Sequence, residues 1–114
     1  MLAVLFEVTP RPGLAQRYFD IAADLRPALE AIDGFVSVER FQSVSRPDVF
    51  LSLSYWRSEA AISVWRNQAC HRGGQREGRE SVFSEYRIRV VSVERDYSFR
   101  NRAEAPLDSN AVLL

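Results

Sequence analysis

The side chains best suited to chemistry lie close together in one stretch of the chain, from residue 54 to residue 97. His71 is the only histidine, and its imidazole has the ordinary pKa that best suits proton transfer near neutral pH. Trp65 lies six residues before His71, and Tyr86 and Arg87 follow it. His71 is therefore the candidate base, Trp65 a candidate wall for a flat substrate, and Tyr86 or Arg87 a candidate donor to a developing oxyanion.

Each of these candidates also has a purely structural interpretation. Trp65 falls on the apolar stripe of a predicted helix, where a large aromatic side chain can belong to the core. His71 lies near a helix end, where it can be a cap or a surface residue. Cys70 precedes it, but neighbouring residues of a helix point to different faces, so the pair does not predict a nucleophilic cysteine.

Arginine carries all the positive side-chain charge: the chain has fifteen arginines, no lysine and fifteen carboxylates, for a net charge of zero. The lack of lysine excludes Schiff-base chemistry on a lysine side chain and a P-loop. The neutral balance gives no reason to expect nucleic acid or a membrane surface as a partner. Arg72, Arg76 and Arg79 recur at helical spacing and form either a solvated face with local ion pairs or a rim that binds an acidic substrate.

One cysteine and one histidine limit the other kinds of site. A single cysteine excludes an internal disulfide and a CxxC motif and is typical of a reducing compartment. A single histidine argues against a metal site built from several histidines. Residues 1–10 lack the basic segment of a signal peptide, and no apolar run approaches 18 residues. We therefore expect a cytoplasmic protein with no metal and no membrane segment.

The first third of the chain predicts a strand followed by a helix. A length of 114 residues with 46% hydrophobic residues is typical of one globular domain. Residues 2–8 are an apolar run that predicts a buried strand. Over residues 14–32 apolar side chains recur at steps of three and four, which predicts a helix that covers a sheet. Pro27 predicts a kink or a restart of that helix, and Gly34 ends it.

The middle and the end of the chain predict three strands and a second helix. Residues 35–43 and 49–56 alternate as the two strands of an antiparallel hairpin do. Ser58 is a predicted N-cap. The apolar stripe of the helix that follows consists of Ala61, Ile62, Trp65 and Ala69. Residues 82–97 predict a long last strand, in which a change of apolar parity at residues 90–91 indicates a β-bulge.

The order of these elements is βαββαβ, which predicts an α+β, ferredoxin-like fold: a four-stranded antiparallel sheet with the helices on one face. We assign this fold to residues 1–97 and expect residues 98–114, which lose all periodicity, to form a C-terminal arm. The strands carry apolar residues on both faces, as Phe50 and Leu51 do. Because the face without helices would expose aromatic surface in a monomer, we expect a homodimer in which two sheets pack face to face.

Three segments of the chain resemble the antibiotic biosynthesis monooxygenase superfamily. They are IDGFVSVERFQS at 32–43, LSLSYWRSEAAISVWR at 51–66 and GRESVFSEYRIRVVSVERDY at 78–97. The resemblance covers residues 2–97 and implies a dimeric α-β barrel. It also implies one of two activities of the superfamily, namely cofactor-free oxidation to quinones or the degradation of haem.

The residues that match the superfamily's sites favour the quinone-forming branch. Trp65 takes the position of a helix tryptophan that the resemblance assigns to both activities, and Arg87 lies near an arginine of the quinone-forming enzymes. Ala61 stands where those enzymes have an asparagine, and His71 falls close to their tyrosine. Haem-degrading relatives have a haem-binding histidine ten residues after the tryptophan and an asparagine on the first strand. This chain has Gln75 at the first position and no asparagine at the second.

The resemblance therefore implies a cofactor-independent monooxygenase that oxidises a small aromatic phenol or hydroquinone-like substrate with O2. The substrate would give its electron to O2 after deprotonation, so the protein needs a dry aromatic pocket and a base. The expected catalytic residues are His71, Trp65 and Arg87. The expected substrate-binding residues are Phe19, Trp56, Phe83 and Tyr86. Two alternatives stay open: a non-catalytic dimer of the same fold that binds a small ligand or serves as an accessory subunit, and haem binding.

Overall fold

The computed structural model describes residues 1–68, 72–73 and 76–113, without the side chains of residues 112 and 113. The strands are β1 (Leu2–Pro10), β2 (Phe35–Gln42), β3 (Phe50–Trp56) and β4 (Phe83–Ser92). The helices are α1 (Ala15–Glu30), α2 (Glu59–Asn67), a π-helical turn (Gly78–Val82) and α3 (Leu107–Leu113). In the described part of the chain, no helix has the length and apolar character needed to span a membrane.

The four strands form one antiparallel sheet in the spatial order β2-β3-β1-β4. The connection through α1 carries the chain from β1 across the position of β3, so that β2 lies at the far edge of β3. The connection through α2 returns the chain so that β4 pairs with the free edge of β1. Both helices lie on one face of the sheet, and this arrangement confirms the predicted ferredoxin-like fold.

One row of side chains crosses the sheet on its helix-covered face. Phe6 of β1 pairs with Ile88 of β4 on one side and with Ser52 of β3 on the other, and Ser52 pairs with Arg40 of β2. Because side chains alternate between the faces of a sheet, the even-numbered neighbours of this row also face the helices. The row therefore forms the floor beneath α1.

Two apolar clusters hold the helices against the sheet. The first consists of Leu29, Ile32, Trp56, Ala61 and Ile62. The second consists of Val8, Tyr18 and Val82. Leu2 and Val4 pack beside the first cluster and Phe6 beside the second, so the clusters lie toward opposite ends of β1. Burial of each large side chain in them stabilises the fold by about 1.5–3 kcal/mol.

At the helices, the cap predicted at Ser58 is confirmed, and of the kink or restart predicted at Pro27 the restart does not occur. The hydroxyl of Ser58 accepts a hydrogen bond from the N–H of Ala61 at 3.3 Å, which is the predicted N-cap of α2. Pro27 does not make α1 restart, since the helix is continuous from Ala15 to Glu30. Pro27 lies in the last turn of α1, where its missing N–H removes only one hydrogen bond of the helix.

The predicted bulge at residues 90–91 is absent, and β4 is shorter than predicted. Val90 pairs with Val4 and Val91 with Ala3 without a shift of register, and the strand ends at Ser92. The apolar parity changes there for a different reason. Val90 faces the helices and Val91 faces the other side of the sheet, so each contributes apolar surface to a different face.

The register shifts of the sheet lie instead at two other places, one between Phe35 and Ser37 in β2 and one at the start of β4. Thr9 pairs with Glu85, but Pro10 pairs with Phe83, so Ser84 is the extra residue. Pro10 has no N–H to offer the strand ladder, which makes this position suited to a bulge. The hydroxyl of Ser84 donates a hydrogen bond to the carbonyl of Thr9 at 3.0 Å, so the bulge is held by its own side chain.

The sheet face opposite α1 and α2 also carries apolar side chains. They are Leu5, Leu51, Leu53, Tyr55 and Val91. Phe41 on the same face is 44% exposed. Glu7 forms ion pairs there with Arg46 at 3.0 Å and Arg89 at 3.4 Å. This face therefore combines an apolar centre with a charged edge.

The chain beyond β4 folds back on itself. The N–H of Val93 donates to the carbonyl of Met1 at 3.0 Å. The guanidinium of Arg102 then lies 5.0 Å from the ring centroid of Tyr97 and donates to the side chain of Asn110 at 3.1 Å. The segment predicted as an arm thus contains a closed loop and the short helix α3.

We expect Gly34→Ala to lower the free energy of unfolding by about 2–4 kcal/mol. Gly34 has φ +98°, and a Cβ there would lie 2.8 Å from the Cβ of Ala61. The substitution therefore adds backbone strain and a clash at the start of β2. Urea denaturation measures the loss.

Gly13→Ala is the matched control for this prediction. Gly13 also has a positive φ, +80°, but a Cβ there meets no atom within 4 Å. Its loss should reflect the backbone conformation alone and be clearly smaller. Equal losses at the two positions would show that the contact with Ala61 does not restrict residue 34.

Candidate active-site cavity

A cavity of about 700 Å³ lies between the helices and the sheet. Its apolar lining consists of Val4, Phe6, Ile21, Ala22, Leu25, Leu29, Val38, Trp56, Ile62, Trp65, Phe83, Ile88 and Val90. Its polar lining consists of Tyr18, Arg40, Ser52, Ser54, Arg66, Arg72, Arg76, Arg79, Glu80 and Tyr86. A concave, mainly apolar cavity with a few placed polar groups is the usual form of a small-molecule site.

Trp56 forms a fixed part of the wall. It is 1% exposed, its indole N–H donates to the hydroxyl of Ser54 at 2.9 Å, and the ring of Phe35 packs edge-on against it at 5.4 Å. Since the one polar atom of the indole has a partner, its burial carries no desolvation penalty. Trp65 of α2 forms another part of the wall.

One end of the cavity has buried polar atoms without partners. The hydroxyl of Tyr18 and the Nε of Arg40 are both buried and make no hydrogen bond of normal geometry within the chain, while Arg40 and Ser52 lie close enough to the Tyr18 oxygen to interact with it. Tyr18 is 4% exposed, and the guanidinium of Arg40 lies 5.9 Å from its ring centroid. Burial raises the pKa of the Tyr18 phenol, while Arg40 and Ser52 partly oppose that rise by favouring the phenolate.

A second polar pair stands at the other edge of the sheet. Arg79 donates from Nη1 to the hydroxyl of Tyr86 at 2.8 Å, and its guanidinium lies 6.0 Å from the Tyr86 ring centroid. The rings of Phe6 and Phe83 flank Tyr86 at 5.8 and 6.2 Å. Because the Tyr86 oxygen accepts from a cation, its own O–H is polarised and remains available to donate into the cavity.

The segment that carries Arg79 is tied to α1 by an ion pair. Arg17 donates from Nε and Nη2 to the two carboxylate oxygens of Glu77 at 2.6 and 2.7 Å. These hydrogen bonds lower the pKa of Glu77 and raise that of Arg17. A bidentate ion pair of this kind fixes the relative orientation of the two side chains as well as their separation. It therefore positions the start of the π-helical turn beside the cavity.

Four of the predicted site residues line this cavity: Trp65, Trp56, Phe83 and Tyr86. Phe19 does not. Its ring packs between Tyr18 at 5.4 Å and Phe50 at 5.1 Å, on the outer side of the second core cluster. Phe19 therefore supports Tyr18 from behind.

Arg87 is not brought to the cavity either. It follows Tyr86 in β4, and since neighbouring residues of a strand point to opposite faces, its side chain belongs to the face away from the helices. Arg79 stands beside Tyr86 in its place. His71 lies outside the described residues, as do Cys70 and Gln75. Among the residues that the structure does describe, no three or more His, Cys, Asp or Glu side chains form a group able to hold a metal ion.

Sequence reasoning missed Tyr18, Arg40 and Ser52 as candidate site residues. The sequence does contain one indication of Arg40 and Ser52, namely the alternation of inward and outward side chains along β2 and β3. Arg40 is a cation on the same strand face as the apolar Val38, and Ser52 interrupts the large side chains of β3 between Phe50 and Trp56. A small or charged residue at an inward position of a strand indicates space or a ligand there.

A family model described as antibiotic biosynthesis monooxygenase matches residues 1–77. A protein named jasmonate monooxygenase ABM, from Pyricularia oryzae, is 45% identical over 93 residues, which is 82% of this chain and 43% of that protein. The chain thus spans less than half the length of that relative. An uncharacterised protein, YqjZ, of Bacillus subtilis is 31% identical over 86 residues, covering 75% of this chain and 68% of YqjZ.

Solved structures share the fold. The structure of Rv0793 from Mycobacterium tuberculosis superposes with a TM-score of 0.75 at 18% identity, covering 85% of this chain and 98% of the other. The structure of PA3566 from Pseudomonas aeruginosa superposes with a TM-score of 0.70 at 20% identity, covering 81% and 92%. At these identities the similarity supports the fold alone.

We expect Tyr18→Phe to change the free energy of unfolding at pH 7 by no more than about 1 kcal/mol, with a gain as the favoured direction. The lost hydroxyl is buried without a partner, so its removal also removes a desolvation cost. Above pH of about 10, where tyrosine of the unfolded chain ionises, the wild type should lose stability relative to the variant. The raised pKa of Tyr18 keeps the folded state protonated while unfolding releases the proton, and high pH favours that release.

Thermal unfolding of both proteins between pH 7 and 11 measures these two effects. Trp56→Phe is the contrasting variant, because Trp56 is fully packed and its N–H is satisfied; it should lose more than about 1 kcal/mol. A loss of similar size in Tyr18→Phe would show that the Tyr18 hydroxyl has a stabilising partner in the folded protein.

Proposed function

This chain belongs to the antibiotic biosynthesis monooxygenase family, and we propose that it oxidises a small aromatic phenol or hydroquinone-like substrate with O2 and without a cofactor. The observation that carries the proposal is the cavity of about 700 Å³ with mainly apolar walls. The apolar walls of such a cavity can cover most of the surface of a bound ring. The arginine-polarised hydroxyl of Tyr86 supplies one hydrogen-bond donor at its edge.

A substrate of this class can supply every electron that the reaction needs. Deprotonation gives a phenolate, whose para carbon forms a C–O bond with O2 and becomes a hydroperoxide. The hydroperoxide then loses its para hydrogen and its terminal OH together as one molecule of water, which leaves a quinone, so that phenol and O2 become quinone and water in equal numbers. O2 takes up four electrons from the substrate, and the protein contributes proton transfer and a dry, oriented site.

The roles of the residues follow from their positions. Trp65, Trp56 and Phe83 are the proposed walls for a flat ring. Tyr86, with Arg79 behind it, is the proposed donor to the phenolate oxygen and takes the role first considered for Arg87. His71 remains the proposed base, on the chemistry of its imidazole alone.

The non-catalytic alternative also has support. Ala61, at the position where the resemblance places an asparagine, is 4% exposed and belongs to the first core cluster, so this position contributes packing instead of a polar group. Under this alternative the same cavity binds a small molecule without turnover. Haem binding is a separate alternative with less support. The cytosol, inferred from the single cysteine, remains the proposed location.

We further propose that the chain works as a homodimer through the sheet face opposite α1 and α2. Leu5, Leu51, Leu53 and Tyr55 form the apolar centre of this face, and Phe41 and Val91 on it are 44% and 41% exposed. A contiguous apolar surface of this kind is typical of an interface. The charged side chains of Glu7, Arg46 and Arg89 at its edge resemble the polar rim of such interfaces.

Oxygen uptake with anthrone, 1,4-dihydroxynaphthalene and jasmonate, each measured against autoxidation, tests the activity. Jasmonate is included because the name of the Pyricularia oryzae relative gives it as substrate, and it is measured with an added two-electron donor, since it has no phenol to supply the electrons. Loss of the Tyr86 donor in Tyr86→Phe should lower the rate by about 10²-fold, and His71→Ala by about 10²–10⁴-fold. Tyr97→Phe removes a hydroxyl outside the cavity and should leave the rate unchanged. No enzyme-dependent uptake with any compound would favour the non-catalytic alternative.

Sedimentation equilibrium at micromolar concentration tests the dimer and should give twice the chain mass of 13.0 kDa. Leu53→Asp places a charge at the centre of the proposed interface and should give a folded 13.0 kDa monomer. Val44→Asp is the control, since Val44 is 99% exposed in the turn between β2 and β3. A wild type that sediments at the mass of one chain would contradict the proposal.

A further inference from the structure

The polar end of the cavity formed by Tyr18, Arg40 and Ser52 has no role in the oxidation proposed above. Arg40 belongs to edge strand β2 and Tyr86 to edge strand β4, which are three strand spacings or about 14 Å apart at the backbone. The ring of Tyr18 lies between them, since it packs against Phe6 at 6.4 Å and Phe83 at 5.6 Å, and both of these rings also contact Tyr86. The guanidinium of Arg40 and the hydroxyl of Tyr86 therefore stand at opposite edges of one aromatic-lined space.

We propose that the substrate of this cavity is an amphipathic carboxylic acid whose carboxylate binds between the guanidinium of Arg40 and the hydroxyl of Tyr18. The inference deepens the proposed function, since it names the substrate class of the same cavity. It rests on that function only for the identity of the reacting end. The binding of the carboxylate can be measured without turnover.

The first support is the unused hydrogen-bonding capacity at this end. The described residues contain three buried side-chain polar atoms without a partner, and two of them, Tyr18 Oη and Arg40 Nε, belong to lining residues of this cavity. Both are donors, and a carboxylate oxygen is an acceptor that can satisfy a guanidinium and a hydroxyl together. Buried polar groups are normally satisfied, so a shared acceptor accounts for both.

The second support is the sign of the charge. The described lining contains five arginines, Arg40, Arg66, Arg72, Arg76 and Arg79, and one carboxylate, Glu80. Arg66 and Arg72 are partly engaged on the outside, with Glu59 at 3.5 Å and with Asn67 at 2.8 Å. The surplus makes the entrance positive and favours the approach of an anion. The sequence left two interpretations open for Arg72, Arg76 and Arg79, and their place on this cavity favours the anion-binding rim.

The third support is the number of charges at the inner end. Arg40 is the one cation of the described lining that lies on the sheet floor, beside Ser52 and under Tyr18. One guanidinium balances one negative charge, which suits a carboxylate better than a doubly charged phosphate. The adjoining walls, Val38, Leu25 and Leu29, are apolar, so the group attached to the carboxylate must be apolar as well.

Three probes that share one apolar body test the inference: 4-phenylbutanoate, its methyl ester and 4-phenylbutylamine. Isothermal titration calorimetry at low salt gives their affinities for the intact protein. Tryptophan fluorescence supplies a second readout, because both tryptophans of the chain, Trp56 and Trp65, line the cavity. Inorganic phosphate is titrated in parallel as an anion without an apolar body.

We expect the carboxylate to bind at least about 10-fold more tightly than the ester, and the amine to bind more weakly than both. Arg40→Gln should weaken carboxylate binding by about 10–100-fold and leave the ester unchanged. Tyr18→Phe should weaken carboxylate binding by a few-fold. Because this variant removes only one hydroxyl, it still tests the inference if Arg40→Gln fails to fold. Arg26→Gln is the control, because it removes one positive charge as Arg40→Gln does, from an exposed ion pair with Glu30. It should leave the affinity for the carboxylate unchanged.

Equal binding of the acid and the ester, binding of neither, or an acid affinity that Arg40→Gln leaves unchanged would each overturn the inference. Phosphate that binds as tightly as 4-phenylbutanoate would also overturn the inference, because it would show that the site binds an anion that has no apolar body. Preferential binding of the acid, lost in Arg40→Gln, together with no oxygen uptake from any phenol would support the inference while the proposed oxidation fails.

Discussion

The register of β1 between β3 and β4 is the constraint on which the rest of the molecule depends. Phe6 is matched to Ser52 on one side and to Ile88 on the other, and Arg40 is placed through Ser52. A slip of β1 by one residue would turn its own inward set, Val4, Phe6 and Val8, outward and remove the centre of the apolar floor. A slip of β4 by one residue would turn Tyr86 outward and bring Arg87 and Arg89 into the cavity.

The cavity exists because two clusters hold α1 at the two ends of β1 and leave the middle unfilled. Trp56 closes one end, and Tyr18 with the aromatic rings around it closes the other. Tight interiors rarely leave a void larger than a water molecule, and a fold that retains one loses packing energy there. Together with two buried donors that lack partners, this void lowers stability in a way that a bound ligand would reverse.

The two faces of the sheet have different tasks in this arrangement. The helix-covered face forms the cavity, and the other face offers an apolar surface with the ion pairs of Glu7 at its edge. The hydrogen bonds from Arg46 and Arg89 lower the pKa of Glu7, so these ion pairs persist to lower pH than the ionisation of an unpaired glutamate would allow. Because residues alternate along each strand, a substitution on one face leaves the side chains of the other in place, so the proposed ligand binding and the proposed self-association can be tested separately.

The sequence by itself determined the order of the elements and their faces. The periods of two and of about 3.6 are local properties that follow from backbone geometry, so βαββαβ, the cap at Ser58 and the opposite directions of Tyr86 and Arg87 could all be derived. Trp65 was found in the same way, as a large aromatic residue on the apolar stripe of its helix.

Only the tertiary structure decided which side chains meet. The convergence of Tyr18 from α1 with Arg40 from β2 depends on a crossover and on the pairing of β2 with β3, contacts between residues far apart in sequence that no local pattern contains. The same holds for Arg79, which replaces Arg87 beside Tyr86, and for Phe19, which lies behind Tyr18. The bulge in β4 lies at Ser84 and not at residues 90–91. The residue of β1 at this place, Pro10, has no N–H for the strand ladder, and the periodicity of β4 alone does not show which residue of the neighbouring strand it will pair with.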